Sequence, residues 1–296
     1  MKMFKKVSAF LTGTIFALTA LASTVFAAPG DTQSEVDWEK GVVRAVGLGA
    51  GKSGEKRVGI LRAQARRAAT MDAERNLAEQ VQGVQVTADS TMRDLELEYD
   101  VVKTHVEAII KNMKVIKETF YEDGTCEVVM EMPLFGSSNS VAQAAFLPFK
   151  DEAREPFPQP TNITATTVTT TETTALSAGT VVASAVSGPK HTGLIVNCTG
   201  LGLKPVMSPV IKNNNGQAIY GYKNLNPDYV IANGMASYTR DINDQTRAGN
   251  NPLVVMAVAV ENHDAYPVVT ISDADSVLIA NQADGFLDNC AVVFVR

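Results

Sequence analysis

Residues 55–86 read EKRVGILRAQARRAATMDAERNLAEQVQGVQV, and the fold follows from how this stretch is read. At four-residue steps Leu61, Ala65, Ala69, Ala73, Leu77 and Val81 form one apolar stripe, widened by Ala68, while Arg62, Arg66, Arg67, Glu74 and Arg75 fall mostly outside it. The spacing predicts a long helix ended by Gly83. Three alanines in mid-stripe let the helix backbone come close to whatever it covers, which suits a sheet face better than a ligand pocket.

Upstream, residues 41–50 read GVVRAVGLGA, a β-prone run with Gly41, Gly47 and Gly49 that follows the single tryptophan, Trp38. A strand, a glycine-rich loop and a helix in that order invite a phosphate site. The run from Gly47 to Ser53 fails the spacing, because the position five before Gly51 is Val46 where a P-loop needs glycine. Lys52, Ser53 and Gly54 read instead as a solvated turn. Downstream, residues 82–87 alternate like a short strand, and one helix is expected from Ser90 to Asn112, with Leu95, Tyr99, Val102, Val106, Ile109 and Ile110 on its stripe. His105 lies just off that stripe and reads as a surface histidine. Residues 113–121 and 125–134 alternate around Asp123-Gly124, a strong hairpin signal. Cys126, Val128, Met130 and Met132 share one face of the second run. Helices packed on an antiparallel or mixed sheet follow, an α+β domain.

Trp38, the Gly41/Gly47/Gly49 cluster, the block Ala65, Ala68, Ala69, Asp72, Ala73, Leu77 and Ala78, and the Asp123-Gly124 hairpin resemble the twenty-kilodalton (Lpp-twenty) bacterial surface lipoprotein family and the similar N-terminal domain of the flagellar T-ring protein FlgT. The resemblance covers roughly residues 38–135 and implies an envelope protein without catalytic residues. Trp38, Gly47, Gly49, Ala65, Ala69, Ala73 and Leu77 are accordingly expected to be structural packing positions. The acylated cysteine of the lipoproteins has no counterpart here.

At the N-terminus three lysines within residues 1–6 precede an apolar run to Phe26, and Val25-Phe26-Ala27 fits a signal peptide cleaved between Ala27 and Ala28. No integral membrane segment is expected after cleavage. Residues 1–27 hold three lysines and no acid, so 26 basic against 32 acidic residues becomes 23 against 32, a net charge of −9. Such a surface repels phosphate backbones, and nucleic acid is not expected as a partner.

The chain divides into residues 28–149, a low-complexity linker over 150–190 and a second α+β domain over 191–296. Residues 162–187 are biased toward Thr, Ala and Val without an aromatic residue, after prolines at 148, 156, 158 and 160. In the last domain Gly193–Asn197, Pro252–Val260, Pro267–Ile271 and Cys290–Val295 read as strands, and residues 210–220 as a hairpin. Asn226 caps a short helix ended by Gly234, and residues 272–281 form another helix. The run GLIVNCTGLGLKPVMSPVI, with NPLVV and the Asp273/Asp275 helix, resembles a module of uncharacterised exported bacterial proteins.

Export makes a disulfide possible. Cys198 with Cys290 is the pair of choice, Cys126 staying free, and three buried thiols are the alternative. Asp241, Asn243, Asp244, Asn250 and Asn251 lack calcium-loop spacing and read as turn residues, and Asp273 and Asp275 as helix-start acids. His191 and His263 have no triad or zinc motif around them. No catalytic residue, metal site or cofactor is expected. The sequence reads as a non-catalytic exported envelope protein in contact with envelope or flagellar-base proteins, further copies of itself included. The alternative is a periplasmic small-ligand or glycan-binding module using the loop from Gly200 to Pro209.

Overall fold

The structure, a computed structural model, describes residues 34–161, 190–243 and 247–296. The predicted signal peptide with its Ala27–Ala28 cleavage point, most of the Thr-rich linker and Asp244 lie outside them. Among the described residues the first sheet is antiparallel, in the order β1 (Glu35–Asp37), β2 (Val42–Ala50), β4 (Thr125–Pro133) and β3 (Val115–Phe120). Helix α1 (Val58–Gln82) lies across it with Ala65, Ala69, Ala73, Leu77 and Val81 fully buried.

The approach of α1 to β2 explains both the glycines and the alanines. A Cβ built on Gly47 would stand 2.2 Å from the Ala69 carbonyl oxygen, and one on Gly49 would stand 2.2 Å from the Ala69 nitrogen. Only a glycine strand against an alanine helix permits that contact. Beyond its pairing with β1, the free edge of β2 is also served by α1: Asp72 accepts from the Leu48 N–H at 3.0 Å, and Asn76 donates to the Val46 carbonyl at 2.7 Å. The glycine run is therefore a packing surface, with α1 occupying the Val46 carbonyl and the Leu48 N–H of its open edge and Ser34 accepting from the Val46 N–H.

The helix expected over 90–112 is two. A Thr91/Asp94 capping box starts α2 (Met92–Glu98), and extended backbone at Tyr99 separates it from α3 (Asp100–Lys111). The break lets Met92 and Leu95 reach the core from one direction and Val102, Val106, Ile109 and Ile110 from another. Residues 82–87 make only an isolated bridge, Gln85 to Thr91. Helix α4 (Val141–Ala145) follows β4.

The second sheet is mixed, with the order β7 (Ala218–Tyr220), β6 (Ile211–Asn213), β10 (Tyr266–Val269), β9 (Pro252–Glu261), β5 (Gly193–Asn197), β11 (Val292–Val295) and β8 (Ser237–Thr239). Its longer helices are α5 (Pro227–Asn233), capped by Asn226, and α6 (Ile271–Asp284), capped by Thr270.

The two modules share one continuous apolar core. Trp38 packs edge-on against Tyr238 at 5.8 Å, and Phe146 stacks on Tyr222 at 5.0 Å. The Met207 and Ser208 N–H groups donate to the Gln85 and Val86 carbonyls at 3.0 and 2.7 Å, and the Gly136 N–H donates to the Ile231 carbonyl. Residues 150–161, the start of the expected linker, run as a strap along the second module. The Glu155 N–H donates to the Lys223 carbonyl, Phe157 lies parallel to Tyr220, and the Thr161 N–H donates to Asp275.

Cys126, Cys198 and Cys290 are all buried and free, so the candidate Cys198–Cys290 bond is not formed. The register explains it. Strands β5 and β11 run parallel with Leu194 beside Val292, so Cys290 precedes one end of the strand pair while Cys198 follows the other. At a strand rise of about 3.3 Å per residue the four steps from Leu194 to Cys198 alone span about 13 Å, which keeps the two cysteines beyond disulfide reach.

Candidate functional site

A cleft of about 710 Å³ opens where the two modules and the strap meet. Its first wall is the turn after α1, with Val86, Thr87 and Ser90, together with Leu95 of α2. Asp89 and Ser90 donate their N–H groups to the Thr87 hydroxyl, and the Thr87 and Ser90 hydroxyls lie 2.7 Å apart, so this turn is rigid before anything binds. The second wall is the sheet edge at Val210, Ala218 and Gly221, with Tyr222 and Tyr266. Tyr222 is held between its stack on Phe146 and a 3.4 Å bond from its hydroxyl to the Phe149 carbonyl. Tyr266 accepts from the Ala88 N–H at 3.3 Å across the module boundary and carries the Lys212 ammonium over its ring at 5.7 Å. The strap closes the third side with Glu152, Glu155, Pro156 and Pro158.

Charge gathers at the strap. Lys223 pairs with Glu155 at 3.7 Å and Lys150 with Asp228 at 2.8 Å, while Glu152 has no ion pair among the described residues. Burial, helped by the charges of Glu152 and Asp228, pushes the Tyr222 phenol up to about 12. The ring therefore stays neutral and is an apolar wall with a hydrogen-bonding tip.

A second feature is the outer face of β9, where Val254, Met256 and Val258 are 49 %, 55 % and 52 % exposed. They alternate with Val255 and the buried Ala257, which face the core. A neutral apolar row on an otherwise acidic protein stands out against ordinary surface.

The polar residues singled out in the sequence have structural partners. Asp273 meets Thr270 at the start of α6, and Asp275, largely buried, accepts from Thr161. Asp241 closes a turn onto the Asn243 N–H at 2.9 Å. His263 lies 3.2 Å from Asp89 on exposed surface, and the His191 N–H donates to Asp284. Among the described residues no group of three potential ligands is placed to hold a metal. In the loop from Gly200 to Pro209, Met207 and Ser208 dock on the first module, and only Ser208 lines the main cleft. Lys204, Pro205 and Val206 border a smaller depression beside Asp89 and His263. Trp38, Gly47, Gly49, Ala65, Ala69, Ala73 and Leu77 all lie in or against the core.

Residues 42–132 match the LPP20 lipoprotein family. The match spans β2 through nearly all of β4, and so contains the glycine–alanine contact. Residues 193–296 match the second domain of Tp0624 of Treponema pallidum. No curated protein matches the chain. The two matches are to separate families, and the strap and Phe146 fall between them. Among the described residues no helix is long and apolar enough to cross a membrane.

The cleft itself has no signature in the sequence. Val86, Phe146, Tyr222 and Tyr266 are scattered over the chain, and Glu152 stands in a segment with the composition of a linker. The prolines at 156 and 158 are the one local hint of extended chain there.

Proposed function

We propose that this chain is a non-catalytic exported protein of the cell envelope that works through protein–protein contacts, in the assembly of a surface or flagellar-base structure. The observation that carries the reading is the row Val254, Met256 and Val258, an uncharged face on one continuous two-module body. The lipoprotein family matched by residues 42–132 supports an envelope location, and the predicted signal peptide supports export. Asp273 and Asp275 are occupied in capping α6 and anchoring the strap, which supports a non-catalytic role. The partner expected on β9 is a flat apolar protein face, a second copy of the chain being the simplest.

A photo-crosslinking residue at position 256 tests this in intact cells. A discrete adduct of the chain with itself or with one envelope protein, lost on Val254→Glu, is expected. No adduct at 256, or one that survives Val254→Glu, refutes the assignment of this face.

A further inference from the structure

We propose that the cleft at the module junction binds a small amphiphile, with its apolar body between the two modules and a cationic ammonium end at Glu152. This inference is independent of the assembly reading, because the cleft and the β9 row share no residue.

The size and position favour a ligand. A volume of about 710 Å³ lies in the range of small-molecule sites, which favour boundaries between domains. The site is also preformed. Its turn is locked by the Thr87 and Ser90 hydroxyls, its aromatic wall by the Phe146–Tyr222 stack, and its strap by the Glu155 N–H on the Lys223 carbonyl. Binding would therefore order little new structure.

The walls choose the chemistry. Val86, Leu95, Phe149, Val210, Tyr222 and Tyr266 offer apolar surface to a hydrocarbon or aromatic body. At the end formed by the first turn the polar groups are the uncharged hydroxyls of Thr87, Ser90 and Ser208. At the strap end Lys223 is matched by Glu155, which leaves Glu152 as the uncompensated charge of the lining. That rim attracts a cation and repels a carboxylate, sulfonate or phosphate head.

Fluorescence titration of the mature chain with dansylcadaverine, a dansyl ring carrying a primary ammonium, tests the proposal. Saturable one-to-one binding with blue-shifted emission is expected, and 11-(dansylamino)undecanoate, with an anionic head, should bind more weakly. Glu152→Gln should weaken dansylcadaverine about fivefold at low salt, the scale of an exposed ion pair, and leave a neutral dansyl amide unchanged. Ala218→Trp, at an exposed position on the rim, should abolish binding of both probes while the melting temperature confirms folding. Dansylcadaverine binding unaffected by Ala218→Trp would overturn the site. Equal affinity for the anionic probe, or no effect of Glu152→Gln, would overturn the assigned charge.

Discussion

Replacing Gly47 with alanine places a methyl group 2.2 Å from the Ala69 carbonyl oxygen, 2.2 Å from the Ala73 nitrogen and 2.7 Å from the Ala73 Cα. All three are backbone atoms, so no side-chain rotation relieves the clash. Restoring ordinary contact near 3.4 Å requires α1 to move away from β2 by about 1.2 Å, in a core packed like a solid. That movement would pull Leu77 and Val81 from their buried places and stretch the Asp72 and Asn76 bonds to the edge of β2. Overpacking costs about 1–3 kcal/mol, and this case belongs at the upper end because the obstacle is main chain. At about 3 kcal/mol, a domain of this size loses about 6–12 °C in Tm. Differential scanning calorimetry of the mature chain measures it, with Gly59→Ala as the comparison. Gly59 sits in α1, and a Cβ there would meet nothing within 4 Å, so alanine should stabilise by about 0.5–1 kcal/mol through helix propensity. A Gly47→Ala protein that melts with the wild type would refute the close contact and with it the fold assignment.

Native protein should leave all three cysteines unreactive toward a thiol reagent and release three thiols on denaturation, with Tm unchanged by reductant. Burial pushes Cys198 up to about 12 and raises Cys290 as well, and the register keeps the two far apart. Arg247 donates to the carbonyls of Asn233, Gly234 and Cys290 at 2.8, 2.5 and 2.7 Å, tying the end of α5 to the approach to β11, so Arg247→Ala should cost about 2–3 kcal/mol in chemical denaturation. Glu96 is raised above the ordinary carboxylate range by burial, with one oxygen on Gln82 and the other unpartnered. A raised acid favours the folded state while protonated, and that stability is lost as pH climbs from its unfolded pKa through its folded one. Glu96→Gln should therefore flatten the fall in Tm from pH 4 to pH 7.

The legible parts of the molecule are those whose signal is local. The alanine period at Ala65, Ala69 and Ala73, the Asp123-Gly124 hairpin and the Asn226 cap each declare themselves within a few residues. Tyr99 does not, because an apolar residue at the right helical step looks the same whether the backbone continues or breaks, and packing against Phe149 enters only in three dimensions. The short β8 escapes notice for the same reason: Ser237, Tyr238 and Thr239 become a strand by pairing with β11, far along the chain. The strap passes for free linker because Pro, Glu and Arg are what a linker also contains. Its order comes from single anchors, Phe157 on Tyr220 and Thr161 on Asp275, that carry no period.

The chain matches one family model over residues 42–132 and another over residues 193–296, which bears on where its individuality lies. Residues 42–132 and 193–296 each hold a sheet packed with helices, so each match falls on the inside of one module. Much of what joins them comes from residues outside both matches, Trp38, Phe146 and Phe157 of the strap, which pack on Tyr238, Tyr222 and Tyr220 of the second module. The cleft is bounded by residues from that same segment between the matches, Phe146, Phe149 and Glu152 among them. A binding preference there would therefore vary with the connecting segment while both modules kept their folds. Exchanging residues 146–158 for a neutral segment that keeps Phe146, Phe149 and Phe157 should change what the cleft holds and leave the melting of the shared core nearly unaltered. Loss of folding from that exchange would mean instead that the strap is a structural part of the core and not a lining laid over it.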